Sequence, residues 1–182
     1  NREWTNWFEL QTERRKNWVE DWENHLLKEE IEDSKSNRKM HPLQLGVDII
    51  SEMNDDDWLV FDGGNTHFWN EIAVNISGWR GKKLGGIMHP GNYSLLGVGI
   101  SFGISAKAAY PDKNVVVISG DGAFLSGGLS IESAFQEGLP IIVVIDNNGG
   151  LDCISQQQER LFANGQHYAT DFRDIPFHTM FE

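Results

Sequence analysis

Cysteine is nearly absent: Cys153 is the only one among 182 residues. An internal disulfide is thereby excluded, and so is a zinc site built on a cysteine cluster. A lone thiol fits a reducing, cytoplasmic setting. Positive charge is also scarce, with 15 Lys and Arg against 27 Asp and Glu and a net charge of −12. A sequence-independent grip on nucleic-acid phosphates needs Lys and Arg, so no nucleic-acid partner is expected. A small anionic cofactor is not excluded, because a metal ion and backbone N–H groups bind one locally. No apolar run approaches the roughly 20 residues of a membrane-spanning helix, and no membrane partner is expected. The chain opens on Asn, without a basic and apolar leader, and residues 177–182 read as a helix that is cut off. A piece of a longer enzyme is the expectation, and 182 residues suffice for one domain with a core.

What is present divides near residue 39. Residues 1–39 are charged and rich in tryptophan. Trp18, Trp22 and Leu26 recur at helical spacing, as do Trp4 and Phe8. A surface helix or helix pair, its aromatic stripe docked on the body, is expected. A partner-binding or membrane-surface helix is the rival, and the acidic balance disfavours the membrane version. Residues 33–38 read as a polar linker. From residue 40 the pattern becomes strand–helix alternation. Helices are expected over 43–53, 94–110, 129–137 and 152–162, and strands over 58–62, 115–118 and 141–145. Continuous apolar strands between helices predict an α/β fold, a parallel sheet with helices on both faces. Ligands of such folds sit beyond the carboxyl ends of the strands.

The polar motifs lie at those ends. Asp121 stands in Gly120-Asp121-Gly122-Ala123 after one apolar run, and Asn148 stands in Asn147-Asn148-Gly149-Gly150 after another. Mg²⁺ takes oxygen ligands and commonly shares them with phosphates. The interval between the two motifs holds one helix and one turn, so both oxygens can return to one sheet edge. N–H groups at Gly122 and Ala123 open the following helix and can face a phosphate, which a side chain at Gly122 would obstruct. A glycine-flanked Asp capping a helix in an ordinary Rossmann-like domain is the bland alternative. Asp62-Gly63-Gly64-Asn65-Thr66-His67 forms a second polar loop, whose Asn and Thr could equally satisfy local backbone. His67 is open between an acid/base group and a packed residue. Cys153 has no evident base beside it, and a nucleophilic role is not expected.

Gly120-Asp121-Gly122, followed at this spacing by Asn147-Asn148, resembles the thiamine-diphosphate motif of the pyruvate-decarboxylase and acetolactate-synthase superfamily. The resemblance covers residues 40–182 and extends to the acetolactate synthase large subunit. It implies a thiamine-diphosphate-binding domain over 40–182, truncated at its C-terminus, after a helical linker or end of a preceding domain over 1–39. It implies thiamine diphosphate and Mg²⁺ as cofactors, with Asp121, Asn148 and the Gly150 carbonyl as metal ligands. Asn65, Thr66, Gly120, Gly122, Ala123, Asn148 and Leu151 would contact the cofactor. Leu96 would wedge under it and bend it, and the Ser94 carbonyl would accept from its exocyclic amine; helix core is the alternative for Leu96. The implied reaction is decarboxylation of a small 2-oxo acid and ligation of the product to a second carbonyl. A 2-hydroxyacyl-CoA lyase, a simple decarboxylase and a non-catalytic binding module are the alternatives. The chain departs from acetolactate synthases at Asn65-Thr66, at Leu96 and at Asp152-Cys153. Family members draw an activating Glu from a separate aminopyrimidine-binding domain of a neighbouring subunit. No segment here resembles that domain, so an inactive fragment and a homodimer or homotetramer built through the missing domain are expected.

Overall fold

The computed structural model describes residues 2–36, 40–162 and 164–180. Four short strands form one parallel sheet: β1 (Trp58–Asp62), β2 (Gly86–Met88), β3 (Val115–Gly120) and β4 (Ile142–Asp146), the last two rich in β-branched residues. Their order is β2-β1-β3-β4. The chain therefore steps outward from β1 in one direction and then returns to the other side, which makes the β1/β3 boundary the topological switch point. Asp62 pairs in register with Ser119, and Gly120 pairs with Asp146. Strands β1, β3 and β4 thus end within one residue of the same level. Every residue of β3 is buried, at odd and even positions alike, as a strand covered on both faces requires.

The helices are α1 (Arg2–Ser36), α2 (Pro42–Glu52), α3 (Asn65–Trp79), α4 (Gly99–Ala109), α5 (Asp121–Gly127), α6 (Ile131–Gln136) and α7 (Asp152–Leu161). The chain forms two compact units, Asn1–Met53 with Trp69–Lys83, and Asn54–Phe68 with Leu84–Glu182. In the first, Val19, Leu26, Leu43, Val47, Ile50, Ile72 and Ile76 are buried. Pro42 occupies the first turn of α2, where its missing N–H costs nothing, and the His41 ring accepts from Leu43 N. A Cβ at Gly46 would lie 2.8 Å from Asn70 Oδ1, so glycine there permits α2 and α3 to approach. In the second unit Val60, Ile100, Ala106, Val115, Val117, Phe124 and Phe177 form the core. Gly103 faces β3 so closely that a Cβ would lie 2.5 Å from Val117 Cγ2.

Several boundaries differ from those the sequence predicts. Helix α1 continues to Ser36, through most of the segment read as a linker, while Asn37 and Arg38 lie outside the described residues. Trp22 packs edge-on to Trp69, whereas Trp4 and Phe8 are exposed, so only part of the aromatic stripe is used within its unit. The expected 94–110 helix begins only at Gly99, because Ser94 (φ 48°) and Gly97 (φ 91°) take left-handed backbone. Helix α3 begins at Asn65, inside the expected polar loop, and β2 is an element that the sequence pattern does not announce, whereas the helix expected to open at Gly122 and Ala123 is α5. Residues 177–179 form a single 3-10 turn, and 181–182 lie outside the described residues.

Candidate functional site

Asp121 follows β3 directly and is the first residue of α5. The residue is buried, 2% exposed. Oδ1 accepts from Gly122 N at 2.7 Å, and Oδ2 accepts from Gly149 N at 2.8 Å and Gly150 N at 2.9 Å. Asn148 Oδ1 also accepts from Gly150 N, at 3.1 Å. The two motifs therefore converge at the carboxyl ends of β3 and β4. The Gly122 N–H, expected to be open toward a phosphate, is engaged by the Asp121 side chain in this conformation.

The loop after β4 is buttressed from behind. Leu151 N donates to Thr170 O at 2.7 Å, and Phe172 N donates to Gly149 O at 2.8 Å. Gly150 pairs with Asp171 in an antiparallel bridge, so close that a Cβ on Gly150 would lie 2.3 Å from Thr170 O. Thr170 is buried, and its hydroxyl lies 2.8 Å from His167 Nδ1. Nothing in the sequence of this irregular segment marks it as a support.

Asn65 and Thr66 begin α3. The Thr66 hydroxyl, on a residue 3% exposed, donates to Asp146 Oδ2 at 2.8 Å. Asn65 Nδ2 donates to Asp152 Oδ2 at 2.5 Å, an oxygen that also accepts from Gln156 Nε2 at 2.9 Å. Both side chains thus tie the β1 turn to the acids that flank the 147–151 loop. Asp146 and Asp152 are absent from the site residues the sequence singles out; Asp152 enters there only as a departure from the acetolactate-synthase pattern, and Asp146 has only its place before the Asn148 motif as a signal. A side chain at Gly122 would meet Leu151 Cδ2 at 2.6 Å and the Phe172 ring at 3.4 Å, so glycine keeps this wall thin.

Asp62 ends β1 and is 1% exposed. Burial pushes its carboxyl above the usual carboxylate range, opposed by hydrogen bonds from Gly99 and Gly97. The His67 ring sits 4.7 Å from the His89 ring and 5.4 Å from Phe61, and His89 stacks on Phe61. Cys153 Sγ is 3.7 Å from Gln157 Nε2.

One cavity of about 310 Å³ gathers these residues, within the size range of small-ligand sites. Its lining includes Asn65, Thr66, Ser94, Leu96, Gly120, Asp121, Gly122, Ala123, Asn148, Gly150 and Leu151, with Gly63, Gly64, His67, Asp152, Cys153 and Ile154. Every residue singled out from the sequence for catalysis, cofactor or metal borders it. Asp121 and Asn148 supply carboxylate and amide oxygens, and Leu96, Leu151 and Ile154 supply apolar surface. The donor set suits a hard divalent cation, and the glycines leave room for a phosphate to approach backbone.

Residues 62–182 match the family model for the thiamine pyrophosphate enzyme, C-terminal TPP binding domain. The chain belongs to this family. As a thiamine-pyrophosphate-binding domain it is 27% identical over 123 residues to the catabolic acetolactate synthase of Raoultella terrigena, covering 68% of this chain and 21% of that protein. It is 26% identical over 150 residues to the 2-hydroxyacyl-CoA lyase 2 of Homo sapiens, covering 78% of this chain and 23% of that protein. The 2-hydroxyacyl-CoA lyase 1 of Dictyostelium discoideum is 36% identical over 97 residues, 53% of this chain and 16% of that protein. The chain thus spans about a fifth of the length of these curated relatives, which divide between the two activities at low identity. No helix among the described residues is long and apolar enough to cross a membrane.

Proposed function

We propose that this thiamine-pyrophosphate-binding domain serves an enzyme that decarboxylates a 2-oxo acid and ligates the product to a second carbonyl, as acetolactate synthase does. The observation that carries it is the convergence of Asp121 and Asn148 on Gly150 within one glycine-lined cavity. Asp121, Asn148 and the Gly150 carbonyl hold Mg²⁺, which neutralises the cofactor's diphosphate. Asn65, Thr66, Gly120, Gly122 and Ala123 border that diphosphate. Asn65 and Thr66 act by holding Asp152 and Asp146, and thereby the loop that carries Asn148 and Leu151. At the other end Leu96 offers an apolar wedge, and the Ser94 carbonyl would accept a hydrogen bond from the cofactor's exocyclic amine. Bound thiamine diphosphate supplies the electron sink for decarboxylation. The chain's own share is orientation and electrostatics. The activating Glu would come from the aminopyrimidine-binding domain of a neighbouring subunit, which makes the proposed working unit a homodimer or homotetramer.

Cleavage of a 2-hydroxyacyl-CoA is the second reading. The 36% identity to the Dictyostelium lyase favours it, and by the resemblance to acetolactate synthases Asp152-Cys153 stand outside their pattern. Calorimetry with Mg²⁺ and thiamine diphosphate, against ATP and NAD, tests the shared premise. Product analysis of the whole enzyme with pyruvate and with a 2-hydroxyacyl-CoA separates the readings. Acetolactate supports the first, and aldehyde released from the thioester supports the second. Binding with no turnover of either substrate class would leave a non-catalytic module.

A further inference from the structure

Asp62 has no part in the roles proposed above, yet it is among the most buried charged side chains of the second unit. Its Oδ2 accepts from Gly97 N at 2.9 Å and from Gly99 N at 2.7 Å. Its Oδ1 is buried with no hydrogen-bond partner. A single oxygen therefore grips the backbone on both sides of Val98. Gly97 also packs against a second segment, since a Cβ there would lie 3.0 Å from Gly127 N, and Gly99 sits so close to Asp62 that a Cβ there would lie 2.7 Å from Asp62 Cβ. These contacts fix part of the route that the chain takes between the left-handed Ser94 and the start of α4. Ser94 and Leu96 border the cavity along that route, and Leu96 keeps 36% of its surface exposed.

We infer that Asp62 is a positioning residue for the aminopyrimidine end of the cofactor, setting through the Gly97–Gly99 turn how far Ser94 and Leu96 project into the cavity. The inference rests on the roles proposed for those two residues. Burying a carboxylate with one oxygen unpaired is costly, and an ordinary turn does not demand it. Two bonds to one charged acceptor fix the turn more firmly than a neutral side chain would. Asp62 also stands at the end of β1, at the switch point, so the turn is referred directly to the sheet that carries Asp121.

Calorimetry on the purified protein with two probes tests this: thiamine diphosphate with Mg²⁺, and inorganic pyrophosphate with Mg²⁺. Asp62→Ala should weaken thiamine diphosphate by about tenfold or more and leave pyrophosphate within about twofold, since only the first reaches Ser94 and Leu96. Asp62→Asn keeps an acceptor oxygen and should recover most of the loss. Equal losses for both probes, or none, overturn the inference. Amide hydrogen exchange on the unaltered protein gives a check that needs no variant: Gly97 and Gly99 should be protected without cofactor, and fast exchange at either contradicts the proposed grip. Leu96→Ala separates the two levels. If it leaves thiamine diphosphate binding intact, the wedge role falls; if it weakens binding while Asp62→Ala does not, the positioning role alone falls.

Discussion

Asp121 Oδ2 and Asn148 Oδ1 accept hydrogen bonds from the same donor, the Gly150 N–H, at 2.9 and 3.1 Å. Two side chains from different strand ends are thus brought to one backbone atom by protein contacts alone. A loop fixed in this way presents its oxygens without having to be ordered by the ligand, which lowers the entropic cost of binding.

The two partners are not equivalent, and their removal should separate affinity from stability. Asp121→Ala strips acceptors from Gly122, Gly149 and Gly150. It should lower Mg²⁺-dependent thiamine diphosphate affinity by at least about 100-fold and cost about 1–3 kcal/mol of stability. Asn148→Ala leaves Gly150 N with Asp121 and an exposed position vacated. Its affinity loss should be similar in direction, with an unfolding midpoint near that of the parent. Paired calorimetry and urea denaturation provide the comparison, and parent-like affinity in either variant removes that residue from the metal site.

Gly150→Ala should be the most disruptive single methyl in the site. The added carbon would meet the Thr170 carbonyl, a backbone atom that cannot swing aside. The bridge to Asp171 should open, with loss of protection at Leu151 and Phe172 amides in hydrogen exchange and a cost of about 1–3 kcal/mol. By contrast Gly122→Ala meets the end of Leu151, which can rotate, so its effect should fall mainly on cofactor affinity.

Thr66→Val preserves shape and removes the hydroxyl that donates to Asp146. Removing one partner of a buried bond costs about 1–3 kcal/mol. The 147–151 loop should loosen as a result, and thiamine diphosphate should bind more weakly even where the substituted side chain makes no contact with it. Unchanged affinity alongside reduced stability would limit Thr66 to a structural role.

Two buried acids should act on stability with opposite signs. Asp57 accepts from Asn54 and Asn114, through backbone and side-chain N–H groups, between 3.0 and 3.2 Å. Desolvation raises its pKa, but these bonds outweigh that effect and the net shift is downward. Its contribution is therefore complete above the unfolded carboxyl pKa, about 3.9, and is lost as pH falls through the lower folded value. Asp62 is shifted upward by burial. The fold binds its proton more tightly than the unfolded chain does, so that contribution is complete below the unfolded pKa and disappears as pH rises through the folded one. Urea midpoints between about pH 3 and 7 should show Asp57→Asn flattening the acid limb. Asp62→Asn should abolish a decline at the upper end of the carboxyl range. The reverse pattern would contradict both assignments.

Where local pattern and tertiary demand agree, the elements are legible. The three longer strands fall within one or two residues of the sequence expectation, because continuous runs such as Val115-Val116-Val117-Ile118 suit only a strand buried on both faces. Helix α3 is hidden because Asn65 and Thr66 are as common in polar turns as at helix starts, and β2 is too short to carry a pattern. The N-terminal part of the expected 94–110 helix fails because small residues are compatible with helix and with turn alike. Ser94 and Gly97 adopt left-handed backbone instead, with Gly97 held by Asp62 and packed against Gly127.

The polymer's own order of residues determined the chemistry available: one carboxylate and one amide, each after an apolar run and each set among glycines. It also determined the parallel α/β class, since apolar strands separated by helices have few other ways to bury themselves. Only the tertiary structure decided which groups meet. The return of the chain across β1 places Asp62, Asp121 and Asp146 at the same carboxyl end of the sheet, and the Thr66 hydroxyl finds its acceptor 80 positions away in sequence. Hydrogen bonds at such separations follow from strand order and register, which depend on packing of the whole sheet and leave no local trace.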